Sequence, residues 1–326
     1  MTSTQWALDP RGWFGAYLIT MRPYLFFVSG AAALAGEALV AGPSPIRRLV
    51  VFVPLFLAYG FGQALTDTFQ IDTDSVSAPY RPLVRGQIGI RAVRWTSLAG
   101  LFASSLILSA LSSWVLIPAV LAVLGLLAYT PCKRRYWAGP ACNALVVALL
   151  PYIGVVALGG SPYVVVHDWR LHAIALSVFG SYAVFVIIGY LKDVAADRST
   201  GYDTLPVHFG VRHSVLASGG FALLGVVGSA AAVRHGLSVA PLCTPVVLGV
   251  LFWVVGLTCL AVCHGLAWKV TRDDEAHGAI AWSVRAFLAL HFGEALVTDP
   301  TLTPLAVVLA VAFEFVLALR PARSQI

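Results

Sequence analysis

The chain has 326 residues, 59% of them hydrophobic and only 11% charged, whereas a soluble globular protein carries about 25% charged residues. That balance, with long apolar runs recurring along the whole length, excludes an ordinary soluble enzyme and makes size a poor guide to domain count. The net charge of +6 comes from basic residues in loops between apolar runs, which argues for membrane topology and against nucleic-acid binding.

The opening "MTSTQWALDPRGW" carries no basic segment followed by a short apolar stretch and a small-residue cleavage site, so no cleaved leader is expected. Apolar runs at 14–41, 47–66, 93–111, 113–131, 139–160, 170–191, 211–233 and 241–267 predict eight spans. Residues 302–320 predict another. The run 279–297 contains Arg285, His291 and Glu294, which fits either a span facing a polar interior or a helix lying at the interface. Nine spans are therefore expected, ten if both C-terminal runs cross. The five cysteines, Cys132, Cys142, Cys243, Cys259 and Cys263, lack the histidine or second pair that a metal site needs and read as small buried residues.

Basic residues divide unevenly between alternate loops. Arg11, Arg22, Arg81, Arg85, Arg91, Arg94, Lys133, Arg134, Arg135, Lys192, Arg198, Arg212, Lys269 and Arg272 share one side, against Arg47, Arg48, Arg170 and Arg234 on the other. The positive-inside rule places the N-terminus and the loops after spans 2, 4, 6 and 8 in the cytosol. Arg320 and Arg323 favour a cytosolic C-terminus and hence ten spans.

Two of those cytosolic loops are acidic. "TDTFQIDTDSVSAPYRPLVRGQ" follows span 2 and holds Asp67, Asp72 and Asp74, then Arg81 and Arg85. "YLKDVAADRSTGYDTLPVHFG" ends span 6 and holds Asp193, Asp197 and Asp203. Each follows the second helix of a four-helix set, which suggests two related halves at about 14–131 and 139–267 within one polytopic domain, 1–326. If the helices continue, Gln63, Asp67, Gln70 and Asp74 form one stripe on span 2, and Asp193 and Asp197 one on span 6. Two facing carboxylate clusters repel unless cations lie between them. All-oxygen ligation selects a hard ion such as Mg²⁺, which binds a few carboxylates plus substrate phosphates. Arg81, Arg85, Lys133, Arg134, Arg135 and Lys192 suit a diphosphate, arginine as a bidentate partner and lysine as a point charge.

The order and spacing of these motifs resemble the UbiA superfamily of intramembrane prenyltransferases over nearly the whole chain. "TDTFQIDTD…YRPLVRG" is similar to that family's Asn-Asp-x-x-Asp-x-x-x-Asp motif with its Arg-Pro-Leu and Gly tail. Asp67 matches the first Asp, Asp74 the last, and Arg81, Pro82, Leu83 and Gly86 the tail. Asp193, Asp197, Gly201, Thr204-Leu205-Pro206-Val207 and Gly210 match the second motif, "RPYLF" (Arg22, Pro23) the first-helix start, and "YTPCKRRYWAGPACNALVV" the basic loop and fifth helix. Two positions depart. Thr66 stands at the motif Asn and Gln70 at its middle Asp, both of which the resemblance implies as Mg²⁺-binding positions; Thr and Gln are weaker, neutral ligands. Asp72 lies off the Asp67/Asp74 face unless the helix has ended by then.

The resemblance implies an all-α integral membrane enzyme with a central cavity and a cytosolic polar cap. Its metal ligands are expected to be Asp67, Gln70, Asp74, Asp193 and Asp197, with Arg22, Arg81, Lys133, Arg134 and Lys192 on the diphosphate of an isoprenyl donor of C10–C20 or longer. Ionisation leaves an allylic cation in a dry cavity, where Tyr17, Tyr24, Phe69 or Tyr190 offer aromatic faces. The expected outcome is transfer to an aromatic or quinone-type acceptor. An altered first motif also fits cyclisation of the donor on itself, and a non-catalytic transporter is the third reading. Glu37, Glu294, His291 and His264 are candidate bases.

Overall fold

The computed structural model describes residues 12–319; Arg11, Arg320 and Arg323 lie outside them. Among the described residues, ten helices are long and apolar enough to cross a membrane. They are α1 (Trp13–Glu37), α2 (Pro45–Asp67), α3 (Ile90–Leu111), α4 (Ser113–Lys133), α5 (Ala138–Ala157), α6 (Trp169–Tyr190), α7 (Val211–Val239), α8 (Thr244–Ala267), α9 (Asp273–Thr298) and α10 (Pro300–Ala318). The count is ten, not nine, because both C-terminal runs form helices of spanning length.

Helix α9 is also not interfacial. It is the most enclosed helix of all, with 89% of its apolar window buried, followed by α1 and α6, while α3 and α10 are at 22%. Its polar residues explain its modest hydropathy, because each has a protein partner. Arg285 donates to both oxygens of Glu314 on α10, at 2.7 Å each. Glu294 accepts from Ser177 of α6 at 2.5 Å and pairs with His291 Nδ1 at 2.8 Å; His291 Nε2 lies 3.1 Å from Ser181 Oγ. In a bilayer no water satisfies such groups, so they cluster between helices. The outward faces of α3, α4, α7 and α10 instead expose Phe102, Leu106, Leu121, Leu124, Leu223, Val308 and Phe315, as lipid contact requires.

Helix α1 is broken where the chain reads "MRPY". Pro23 pushes the residue before it out of the right-handed helix, and Arg22 takes φ 55°, a strained conformation for a non-glycine residue. The break turns the Arg22 side chain toward the end of α2. Helices α6 and α7 approach backbone to backbone, since a methyl group on Gly180 would run into Gly225 and Phe221.

Candidate active site

One end of the bundle gathers the loops after α2, α4, α6 and α8. Thr73 donates to Asp197 at 3.2 Å, Lys133 pairs with Asp197 at 3.3 Å, and the Ala195 amide donates to Asp273 at 2.8 Å. The two acidic stretches thus meet. Both are built alike: the membrane helix ends, the backbone breaks, and a short helix follows, Ile71–Ser77 in one loop and Val194–Ser199 in the other. Gln70 (φ −122°) and Asp193 (φ −119°) sit at those breaks. The continuous stripes expected on spans 2 and 6 are therefore interrupted. The tail of the first motif closes on Gly86 at φ 68°, a conformation that a side chain would resist.

Below this cap a cavity enters the bundle. Asp67, Gln70, Asp74 and Asp193 line its mouth with Arg22, Arg81, Lys133 and Lys192. Arg22 Nη2 grips both oxygens of Asp67 at 2.8 and 3.1 Å, and Gln63 adds a third bond at 2.7 Å. Arg81 pairs with Asp74 at 2.5 Å and Lys192 with Asp193 at 3.0 Å. Lys133 is buried and reaches Asp197 and the amide oxygen of Gln70, each at 3.3 Å. Gln70 in turn donates to Thr130 at 3.3 Å, so its amide ties α4 to the first motif.

Not every expected residue faces the cavity. Asp197 is fully buried and off the cavity lining, held by Thr73, Thr204 and Lys133. Arg134 lies outside, bonded to Asp72 at 2.9 Å and to Tyr202 at 3.3 Å. Asp72 does not swing in; Tyr202 also donates to it. Thr66 lines the cavity, but its hydroxyl donates back to the Gln63 carbonyl. Glu37, Glu294, His291 and His264 are absent from the lining, as are Tyr17, Tyr24 and Phe69; Tyr190 is present. Tyr59 and Tyr182 also line it and were missed by sequence reasoning, while Tyr129 and Asn143, lining it too, were named only as part of the stretch "YTPCKRRYWAGPACNALVV". Their signal was weak, because a tyrosine in an apolar helix looks like packing until its neighbours are known.

Each of the four basic groups has a carboxylate partner: Arg22 with Asp67, Arg81 with Asp74, Lys192 with Asp193, and Lys133 with Asp197, which is off the lining. Burial pushes the Asp74 carboxyl above the usual range despite Arg81, with Asp67 repelling it further. Burial acts the same way on Asp193, but Lys192, Lys133 and Arg81 outweigh it and hold that carboxyl low. Burial lowers Lys192, which Asp193 only partly offsets because Arg81 and Arg22 repel it. A site in which buried cations crowd each other is prepared for an anion.

The donor chemistry can also be tested against a metal. Among the described residues no three Asp, Glu, His or Cys side chains come together as a metal-holding group. Asp67, Asp74 and Asp193 instead present hard oxygens around one mouth. Mg²⁺ is commonly held by one or two carboxylates plus substrate phosphates. The residues therefore fit an ion that arrives with a diphosphate, and not one caged by protein alone.

The model of the UbiA prenyltransferase family matches residues 24–292. The chain belongs to that family. As a UbiA protein it is a membrane-embedded prenyltransferase. It is 31% identical over 259 residues to a digeranylgeranylglyceryl phosphate synthase of Natronomonas pharaonis, covering 78% of this chain and 86% of that one. It is 26% identical over 228 residues to the protein of that name from Thermococcus kodakarensis, covering 69% and 79%. The fold is similar to that of a UbiA homologue of Archaeoglobus fulgidus solved with DMAPP and Mg²⁺, with a TM-score of 0.62 at 19% identity over 86% of this chain and 98% of that one. A UbiA homologue of Aeropyrum pernix superimposes with a TM-score of 0.68 at 19% identity, over 81% and 96%.

Proposed function

We propose that this UbiA protein is a Mg²⁺-dependent enzyme that ionises an allylic isoprenyl diphosphate at the cavity mouth and transfers the prenyl group to the hydroxyl of a glyceryl phosphate acceptor. The convergence of Arg22, Arg81, Lys133 and Lys192 on one acid-lined cavity mouth carries the diphosphate reading. Arg22, Arg81, Lys133 and Lys192 bind and orient the head group, and Arg81 and Lys133 take up charge as the carbon–oxygen bond breaks and the diphosphate leaves with the electron pair. Asp67, Asp74 and Asp193 would hold the Mg²⁺, which supplies further neutralisation of the leaving group. The acceptor oxygen then bonds to the allylic carbon and loses its proton. Glu37, Glu294, His291 and His264 lie off the cavity, leaving the mouth carboxylates and the departing diphosphate as proton acceptors.

The acceptor differs from the aromatic or quinone type that the family resemblance suggested. Two considerations support the change: the relatives described above are named for digeranylgeranylglyceryl phosphate, and a phosphate on the acceptor matches the cationic mouth. The test is direct. Membranes holding the protein receive Mg²⁺, an isoprenyl diphosphate, and either a prenylglyceryl phosphate or an aromatic acid, and the prenylated product is identified by mass spectrometry. Ether product from the glyceryl phosphate alone is expected. Product from the aromatic acid alone refutes the acceptor, and a cyclic hydrocarbon without any acceptor refutes transfer. Asp193→Ala should lower diphosphate release by about 100-fold or more, the scale of losing one charge-stabilising group.

A further inference from the structure

Lys133 is held by more than ion pairing. Its ammonium reaches two protein oxygens, one of Asp197 and one of Gln70, each at 3.3 Å, which is long for a charged donor. It also lies over two aromatic rings, 5.0 Å from the centre of Tyr202 and 5.4 Å from that of Tyr190. Both are within the range of about 6 Å at which a ring face attracts a cation. Lysine carries three N–H donors. Two oxygens leave one donor for the cavity mouth that Lys133 lines. A further carboxylate would take that donor and cancel the charge, whereas a ring face attracts the ammonium and does neither.

Of the two rings, Tyr190 belongs to the cavity lining, while Tyr202 lies off it and is buried. Tyr202 is tied to the loops after α2, α4 and α6. Its amide donates to the Asp197 carbonyl at 2.8 Å, and its hydroxyl donates to Asp72 at 3.1 Å. The Arg134 guanidinium lies over its ring at 4.4 Å and donates to its hydroxyl at 3.3 Å. Arg134 also bonds Asp72 at 2.9 Å, which closes a triangle of acid, base and phenol. The next residues along, Arg135 and Asp203, form a backbone bridge. Asp72 and Arg134 are half-exposed, and a pair in that setting adds little stability. What the triangle fixes is the direction of the Tyr202 ring, and the ring in turn bears on Lys133, the chain neighbour of Arg134.

We propose that Tyr202 is a positioning residue for the ionisation step: anchored by Asp72 and Arg134, its ring holds the Lys133 ammonium at the mouth with a donor left for the diphosphate. This rests on the isoprenyl diphosphate reading above and goes beyond it in naming a residue off the cavity that acts through Lys133.

Binding separates this role from a structural one. A C15 thiolodiphosphate, which resists ionisation, and the C15 alcohol, which has the same tail without the head group, are each titrated against the purified protein with Mg²⁺. Tyr202→Leu and Tyr202→Met remove the ring, two variants so that one failing to fold leaves the other. Each should weaken the thiolodiphosphate by about tenfold, the scale of one desolvated cation–ring contact, and leave the alcohol unmoved. Tyr202→Phe keeps the ring and should bind both ligands as the unaltered chain does. Equal losses of both ligands, an unmoved thiolodiphosphate affinity without the ring, or a Phe variant as weak as the Leu variant overturns the inference. Lys133 is also read without any ligand. Acetic anhydride labelling followed by peptide mass spectrometry, normalised to the exposed Lys269, should modify Lys133 several-fold faster in the ring-less variants than in Tyr202→Phe; equal rates overturn the inference. If the unaltered chain binds the thiolodiphosphate no better than the alcohol, the diphosphate reading fails, and the labelling rates decide whether Tyr202 positions Lys133.

Discussion

At residue scale, the informative position is Gln70. The resembling motif has Asp there, and the amide was expected to act as a weaker metal ligand. In the structure its oxygen accepts from Lys133 and its nitrogen donates to Thr130. The amide is thus committed to holding a cation in place, which a carboxylate would do more strongly while also attracting Mg²⁺. Gln70→Asp should lower the Mg²⁺ concentration needed for half-maximal diphosphate release by about tenfold, the scale on which changes near a metal alter its affinity. A Mg²⁺ titration of the variant checks this, and an unchanged midpoint would place Gln70 outside the ion's surroundings. The acid at 72 makes the converse point. Its charge was legible in the sequence, but its direction depended on the backbone break at residues 68–70, and it ended on Arg134 and Tyr202 outside the cavity.

At the scale of elements, the polar residues of α9 separate a buried helix from an interfacial one. Hydropathy alone could not decide, because Arg285, His291 and Glu294 are costly in either setting unless partnered. The partners come from α6, more than 100 positions away, and from the next helix, α10. Glu294 and His291 are thereby read as a clamp between α6 and α9, and not as catalytic bases. Leaving buried polar groups without their hydrogen-bond partner typically costs about 1–3 kcal/mol. Glu294→Ala should accordingly lower the unfolding midpoint in detergent, with Glu294→Gln milder because the amide can still bond Ser177. A drop in activity with no loss of stability would contradict this role.

On the scale of the whole molecule, the loops after α2, α4, α6 and α8 form one cap, which is how Asp67 and Asp193, 126 positions apart, come to share one cavity mouth. Among the described residues, Arg22, Arg81, Arg85, Arg91, Arg94, Lys133, Arg134, Arg135, Lys192, Arg198, Arg212, Lys269 and Arg272 belong to the cap side, against Arg47, Arg48, Arg170 and Arg234 at the far end. We propose that the cap faces the cytosol. In a chain whose five native cysteines are replaced by alanine, Ser199→Cys should react with a membrane-impermeant maleimide in inverted vesicles and stay unlabelled in intact cells; labelling in intact cells would reverse the orientation.

Local order in the chain was enough to establish the membrane class, most of the spans, both acidic motifs and the family they resemble, because apolar run length, helical period and short-range spacing are properties of neighbouring residues. It also named the four basic groups that do reach the mouth. What tertiary structure alone decided was direction and company: that Asp193 lines the cavity while Asp197 is buried off its lining, that Arg134 turns outward, and that Tyr59 and Tyr182 hydrogen-bond between α2 and α6. The physical reason is common to all three. Which way a side chain points after a helix ends depends on the backbone break and on the helices packed against it, and those neighbours come from distant parts of the chain.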